Sequence, residues 1–157
     1  MKNGNRFLVF GLIIVIICAA VLSIFLYNKE HRVEEIKQET KDLVKDSVSL
    51  GDFKKKLEES DIKIEKEEEN TECAQIGASE GVTYVIDNQE IQVYRFDFNK
   101  SEEITVTNLK LAQDEGKIIL PSFNNIEIKV TYNKGLILIN NEEHNKWNEI
   151  LEVFNNI

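Results

Sequence analysis

The residues that most resemble a catalytic motif are the run Gly-Ala-Ser-Glu-Gly at positions 77–81. It has the letter pattern G-x-S-x-G of a nucleophile elbow, in which the serine stands between a strand and a helix of a large α/β fold with a histidine downstream. Here a strand pattern follows Gly81, and a chain of 157 residues is small for that fold. We therefore expect a flexible loop around Ser79, and a small serine hydrolase is the less favoured alternative.

Histidine and cysteine, the other reactive residue types, are sparse. His31 follows a long apolar segment and is expected at a membrane interface, whereas His144 is expected to be solvated in the first turn of a predicted helix. Neither has a cysteine or acid at metal-ligand spacing, and H-E-x-x-H is absent. Cys18 lies in the apolar segment, so Cys73 has no partner within the chain and is predicted to be a small buried residue or a lone thiol.

Charge narrows the classes of ligand further. The formal net charge is -9, which argues against a nucleic-acid partner because phosphates are repelled. The acidic run Glu65–Glu72 is predicted to be a loop; a Ca²⁺ site is the alternative, but the EF-hand spacing of carboxylates around a central glycine is absent. The sequence thus predicts no enzyme, no cofactor and no metal site.

An apolar segment near the N-terminus predicts the location. Phe7–Tyr27 is an uncharged run of 21 residues, and at about 1.5 Å per residue such a helix spans a hydrocarbon core of roughly 30 Å. A cleaved signal would need a small-x-small site, but Ala19 and Ala20 are adjacent and apolar residues continue beyond them. A lipoprotein signal would use Cys18, but Ile17 precedes it where a small residue is needed. We predict an uncleaved, single-pass signal anchor.

The charges that flank this segment leave its orientation less clear. Lys2, Arg6 and the terminal amine precede the segment, and four cations follow it within about 15 residues, so the count alone does not favour an inside N-terminus. The later cations are, however, interleaved with acids. Because the N-terminal tail is short and cationic, we expect it in the cytoplasm and the rest of the chain outside, in the envelope of a bacterium with an AT-rich genome.

Residues 28–47 are predicted to form a polar helical stalk. Their sparse apolar positions, Val33, Ile36, Leu43 and Val44, lie on a narrow helical stripe of barely two heptads. We predict these four as contact residues, for a second copy of the chain or for a partner helix. A charged spacer that holds the domain off the bilayer is the alternative.

Residues 48–157 are predicted to form a small α+β domain. Ser49 and Asp52 resemble a capping box at the start of a helix over 49–59, and Asn140 with Glu143 resembles a second cap before a helix over 142–155. Between them we predict an antiparallel sheet of four to six strands. The candidate core consists of Leu50, Phe53, Leu57, Tyr94, Phe96, Ile128, Val130, Leu138, Trp147, Leu151 and Phe154.

Strand patterns of period two occupy most of this domain. Two strands, Val82–Ile86 and Ile91–Phe98, are joined by polar residues and predict a hairpin. Apolar side chains alternate onto both faces of the second strand, which predicts a central position covered on at least one side. Further strands are expected at 62–64, 104–107, 117–120, 126–132 and 136–139, the last two joined by a turn with Gly135 in the left-handed region.

The layout of residues 48–156 resembles small uncharacterised envelope proteins of Firmicutes. The resemblance rests on the stretch Gln92–Asn99, on Asp114-Glu115-Gly116, on the strand pair Ile126–Ile139 and on the closing amphipathic helix. Such proteins are anchored by a lipid or one helix, so the resemblance implies a compact α+β domain at the membrane and no catalytic residues.

Together these features favour a membrane-tethered binding or scaffolding module. Two alternatives remain: a solute- or signal-sensing accessory domain of an envelope complex, and the small hydrolase that would use Ser79.

Overall fold

The computed structural model describes residues 4–97 and 102–157, with side chains from residue 17 onward except at residue 123. The chain divides into two compact units, Met1–Glu35 and Ile36–Ile157. Helix α1 (Gly4–Leu43) begins in the first unit. Among the described residues, no helix combines the length and apolar character needed to cross a membrane. The predicted span Phe7–Tyr27 lies partly outside the described side chains.

The second unit is an α+β domain around one six-stranded antiparallel sheet, within the predicted four to six strands. Three helices pack against this sheet rather than the two that were predicted. The strand order is β1-β2-β3-β6-β5-β4, so two three-stranded meanders join where β3 pairs with β6. The strands are β1 (Lys66–Glu69), β2 (Glu80–Ile86), β3 (Gln89–Arg95), β4 (Lys117–Leu120), β5 (Ile126–Asn133) and β6 (Leu136–Ile139). The helices are α2 (Leu50–Glu59), α3 (Glu103–Glu115) and α4 (Trp147–Asn155), with short 3-10 helices at Thr71–Ile76 and Pro121–Phe123.

Both faces of the sheet are covered, and β3 shows why. Its residues Ile91 and Val93 pack into a core cluster beneath α2 and α4, while Tyr94 and Phe96, the latter just beyond the strand, pack into a second cluster that includes α3. The predicted two-faced central strand is therefore confirmed as far as Arg95, where β3 ends. Residue 98 lies outside the described part of the chain.

The predicted capping box and the two predicted hairpin turns are present in the structure. The Asp52 backbone N–H donates to Ser49 Oγ at 3.1 Å, and the Ser49 N–H donates to Asp52 Oδ2 at 3.0 Å, which completes the capping box of α2. The β2–β3 turn places Asp87 and Asn88 at φ 54° and 60°, the left-handed geometry that two-residue hairpins require. Gly135, with φ 77°, closes the β5–β6 hairpin.

Four predicted elements differ from the structure. Residues 104–107 are not a strand but the first part of α3, whose residues Thr105, Asn108, Leu109 and Ala112 are buried at helical spacing. The acidic loop predicted at 65–72 contains β1, an edge strand whose four residues are all exposed; charged side chains on an edge strand discourage pairing with other chains.

The predicted strand at 62–64 is absent, although Ile62 is buried in the core. The last helix begins at Trp147 rather than at residue 142, with Lys146 in the cap position.

Part of the predicted stalk, residues 28–47, belongs to the α+β domain. The second unit begins at Ile36 rather than at residue 48. Val44 is 2% exposed and belongs to the α3-side core, and Leu43 packs against the same cluster. The Tyr132 hydroxyl donates to the Leu43 carbonyl oxygen at 2.6 Å. Of the four predicted contact residues, Leu43 and Val44 are thus part of the domain, Ile36 is its half-buried first residue, and Val33 lies in the first unit.

Candidate binding pocket on the curved sheet

The sheet curves around the 3-10 helix Thr71–Ile76 and encloses a pocket. This helix contacts both β2 and β4, although three strands separate them in the sheet. The pocket has a volume of about 110 Å³. One wall is aliphatic and is formed by the last three strands of the chain; the other carries polar groups from β3 and the 3-10 helix. The lining residues are Ile118, Leu120, Ile128 and Ile139 on the first wall, and Glu72, Gln75, Ile76, Gln92 and Tyr94 on the second.

Hydrogen bonds hold the polar wall in place. Asn70 Nδ2 donates to the Tyr94 hydroxyl at 2.8 Å, and this hydroxyl donates to Gln92 Oε1 at 3.1 Å. Asn70 Oδ1 also accepts from the Glu72 backbone N–H at 3.0 Å. Burial raises the pKa of the Tyr94 phenol, so it stays a neutral donor at physiological pH. With the Gln92 carbonyl occupied, its amide N–H groups stay available to a ligand.

The aliphatic wall continues onto the surface through Ile126. Ile126 pairs with Leu120 across the β4–β5 ladder and lies two residues before Ile128, so the three side chains share one face. Ile126 is 53% exposed, and among the described residues of the second unit no other large apolar side chain is exposed. Ile126 thus extends the aliphatic wall of the pocket to the surface.

Asn108 on α3 connects two of the segments that line the pocket through hydrogen bonds to their backbones. Its Nδ2 donates to the carbonyl oxygens of Ile76 at 3.0 Å and of Ile119 at 3.1 Å, and its Oδ1 accepts from the Ile119 N–H at 2.8 Å. The amide thus joins the 3-10 helix to the outer edge of β4 and satisfies the backbone there as a neighbouring strand would. No pattern in the sequence singles out Asn108, because its hydrogen-bond partners are distant in the chain.

Ser79 lies outside this pocket, at the start of β2. Its Oγ is buried without a hydrogen-bond partner among the described residues. It lines a second cavity of about 300 Å³ together with Cys73, Glu69 and Tyr84. His144 is held beside the β2–β3 turn, at the far end of a seven-residue strand, about 20 Å away at 3.3 Å per residue. The structure therefore does not bring Ser79 and His144 together.

His144 is buried, contrary to the expectation of a solvated side chain. It is 3% exposed, and its Nδ1 accepts from the Lys146 N–H at 3.0 Å, so the proton of the neutral ring sits on Nε2. Gln89 and Asn145 bind its loop to the β2–β3 turn. His31 lies in the first unit and is 3.2 Å from Glu35.

No group of three or more histidine, cysteine or acidic side chains within residues 17–97 and 102–157 is arranged to hold a metal ion. Another cavity, of about 370 Å³, lies between α2 and α4 and is lined mainly by polar residues such as Lys56, Ser60, Glu149 and Glu152.

No protein-family model matches the chain, and neither curated proteins nor solved structures give a significant match.

Proposed function

We propose that this chain is a membrane-tethered binding module of the bacterial cell envelope. The run Phe7–Tyr27 is its anchor, and the unit Ile36–Ile157 carries the binding site outside the cytoplasm. The observation that carries the binding role is the pocket between the last three strands and the 3-10 helix, whose aliphatic wall continues onto the surface as Ile126. The resemblance to anchored envelope proteins of Firmicutes agrees with this role.

Binding accounts for this site better than catalysis does. A serine nucleophile needs a base within hydrogen-bond reach, and Ser79 Oγ has no partner among the described residues. In the pocket itself, Tyr94 has its pKa raised by burial and its hydroxyl engaged by Asn70 and Gln92, which suits a fixed donor network rather than a proton-transfer group.

A sensing accessory domain is the second candidate, and one contact favours it. Tyr132 and Ile128 lie on the same face of β5, and Ile128 lines the pocket. The Tyr132 hydroxyl is bonded to the Leu43 carbonyl at 2.6 Å, at the end of α1. A ligand that moves β5 would therefore act on the C-terminal turn of α1.

Leu43 and Val44 are not partner contacts in this proposal, because they pack within the domain. Replacing Val44 with Glu would bury a charge in the core, and replacing Leu43 would place one against it. Either change destabilises the domain, so neither is a clean test of binding.

Site-specific photo-cross-linking in intact cells tests the proposed function. A benzoylphenylalanine at position 126 is expected to cross-link to a partner, whereas the same residue at the exposed position 58 on α2 is not. The cross-link should disappear when Ile128→Phe fills the pocket. A cross-link at 126 that survives Ile128→Phe, or no cross-link at 126, would count against a binding role for the pocket.

A further inference from the structure

We infer that the pocket receives one aliphatic side chain from a positively charged segment of a partner protein. This inference rests on the proposed function and names the chemistry of the partner.

The size of the pocket selects a side chain over a cofactor or metabolite. Its volume is about 110 Å³, whereas pockets for drug-sized ligands measure about 300–1,000 Å³. An apolar cavity of about 150 Å³ holds a guest the size of benzene. The pocket therefore accommodates a group the size of a leucine or isoleucine side chain, with Leu120, Ile128 and Ile139 as its apolar contacts.

The charge around the pocket selects a cationic segment. Glu72 lies on the rim, and the described lining contains no lysine or arginine. Glu72 makes no salt bridge to another described residue. The chain as a whole carries -9, and two of its cations, Lys2 and Arg6, precede the predicted anchor, so the remainder is more acidic still. A segment with lysine or arginine beside its aliphatic residue complements this rim.

The polar wall offers hydrogen bonds to the backbone of such a segment. Gln92 Nε2 and the Gln75 side-chain amide make no hydrogen bond with another described residue, and both line the pocket. These groups can donate to carbonyl oxygens on either side of the inserted side chain. An amphipathic occupant thus matches each wall: its aliphatic group faces β4, β5 and β6, and its backbone faces Gln75 and Gln92.

Methyl NMR on the full chain in nanodiscs of neutral lipid tests this inference with defined probes. The capped peptide Gly-Lys-Leu-Lys-Gly is expected to shift the methyl signals of Ile128 and Ile139 in a saturable way. Replacing its leucine with serine should weaken binding by at least about tenfold, since burial of the side chain is lost. Reversing its charge, as Gly-Glu-Leu-Glu-Gly, should weaken binding by about threefold or more, with a difference that shrinks in high salt.

Two matched variants distinguish the effect of the Glu72 charge at the pocket from the effect of the net charge of the chain on peptide affinity. Glu72→Gln should weaken the lysine peptide by about twofold to fivefold, the range of a single exposed ion pair. Glu58→Gln removes the same charge from α2 on the opposite face of the sheet and should leave the affinity unchanged.

The outcomes distinguish this inference from the proposed function. Equal affinity for the lysine and glutamate peptides would overturn the cationic partner. Shifts of Ile128 and Ile139 with isobutanol but with none of the peptides would overturn the inserted side chain and leave a pocket for small apolar solutes. The absence of every shift would overturn the inference, and if the cross-link at position 126 is also absent, the proposed function fails with it.

Discussion

Asn108 offers the most direct test of how the pocket is built. In Asn108→Ala, the Ile76 carbonyl loses its side-chain donor in a buried setting. At the edge of β4, the Ile119 carbonyl loses its donor and the Ile119 N–H loses its acceptor. One buried unsatisfied group costs about 1–3 kcal/mol, and each of the two part-buried bonds contributes about 0.5–1.5 kcal/mol. We therefore expect the free energy of unfolding to fall by about 2–6 kcal/mol.

Two matched variants define the source of this loss. Asn108→Asp keeps an acceptor for the Ile119 N–H but removes both donors and places a negative oxygen against two carbonyls, so it should be at least as destabilising at neutral pH. Thr107→Ala changes the neighbouring exposed residue of α3, whose hydroxyl bonds only within its own helix, and should change stability by less than about 0.5 kcal/mol.

Urea unfolding of the full chain, followed by tryptophan fluorescence, measures these differences. Trp147 is the one tryptophan of the chain and lies in the core cluster on the opposite face of the sheet from Asn108, so its signal reports unfolding of the whole domain. A midpoint for Asn108→Ala equal to that of the unmodified protein, at an unchanged slope, would refute the role assigned to this amide.

Three further outcomes are expected. Gly77→Ala should destabilise the domain by more than about 2 kcal/mol in urea unfolding, because Gly77 has φ 78° and an added Cβ would lie 2.7 Å from the α3 backbone. Gly51→Ala, where an added Cβ makes only ordinary contact, should stabilise the domain by about 0.5–1 kcal/mol. Equal effects of the two substitutions would contradict this reasoning. Burial raises the pKa values of Tyr84, Tyr94 and Tyr132 in the folded protein. The stability that these residues contribute is therefore complete below the ordinary tyrosine pKa and is lost as the pH rises through the raised values. Ultraviolet titration should show their tyrosinate absorbance only at more alkaline pH than in the unfolded chain, and coincident curves would count against their burial. Protease added to intact protoplasts should digest the unit Ile36–Ile157, whereas its protection while an external control protein is digested would reverse the proposed orientation.

Several elements of the fold could be predicted from the sequence, because their formation depends on residues that are neighbours in the chain. The alternation of apolar residues on both sides of β3 indicated a strand covered on two faces, and Ser49 with Asp52 marked the start of α2. Turn residues with left-handed backbone, such as Asn88 and Gly135, located two hairpins. These signals are local, since side-chain period, capping and turn geometry act within a few residues.

The tertiary structure decided the rest through contacts between distant segments. The β-branched residues Ile104–Thr107 favour a strand by local preference, yet they form a helix whose buried face includes Leu109 and Ala112. The charged β1 is a strand because β2 pairs with it. The pocket needs walls from four strands and a 3-10 helix, and the amide of Asn108 that holds them reaches backbone groups 11 and 32 residues away. Periodicity within a segment carries no information on which segments meet. The sequence alone therefore determined elements such as β3 and α2, whereas packing between distant segments decided α3, β1 and the site.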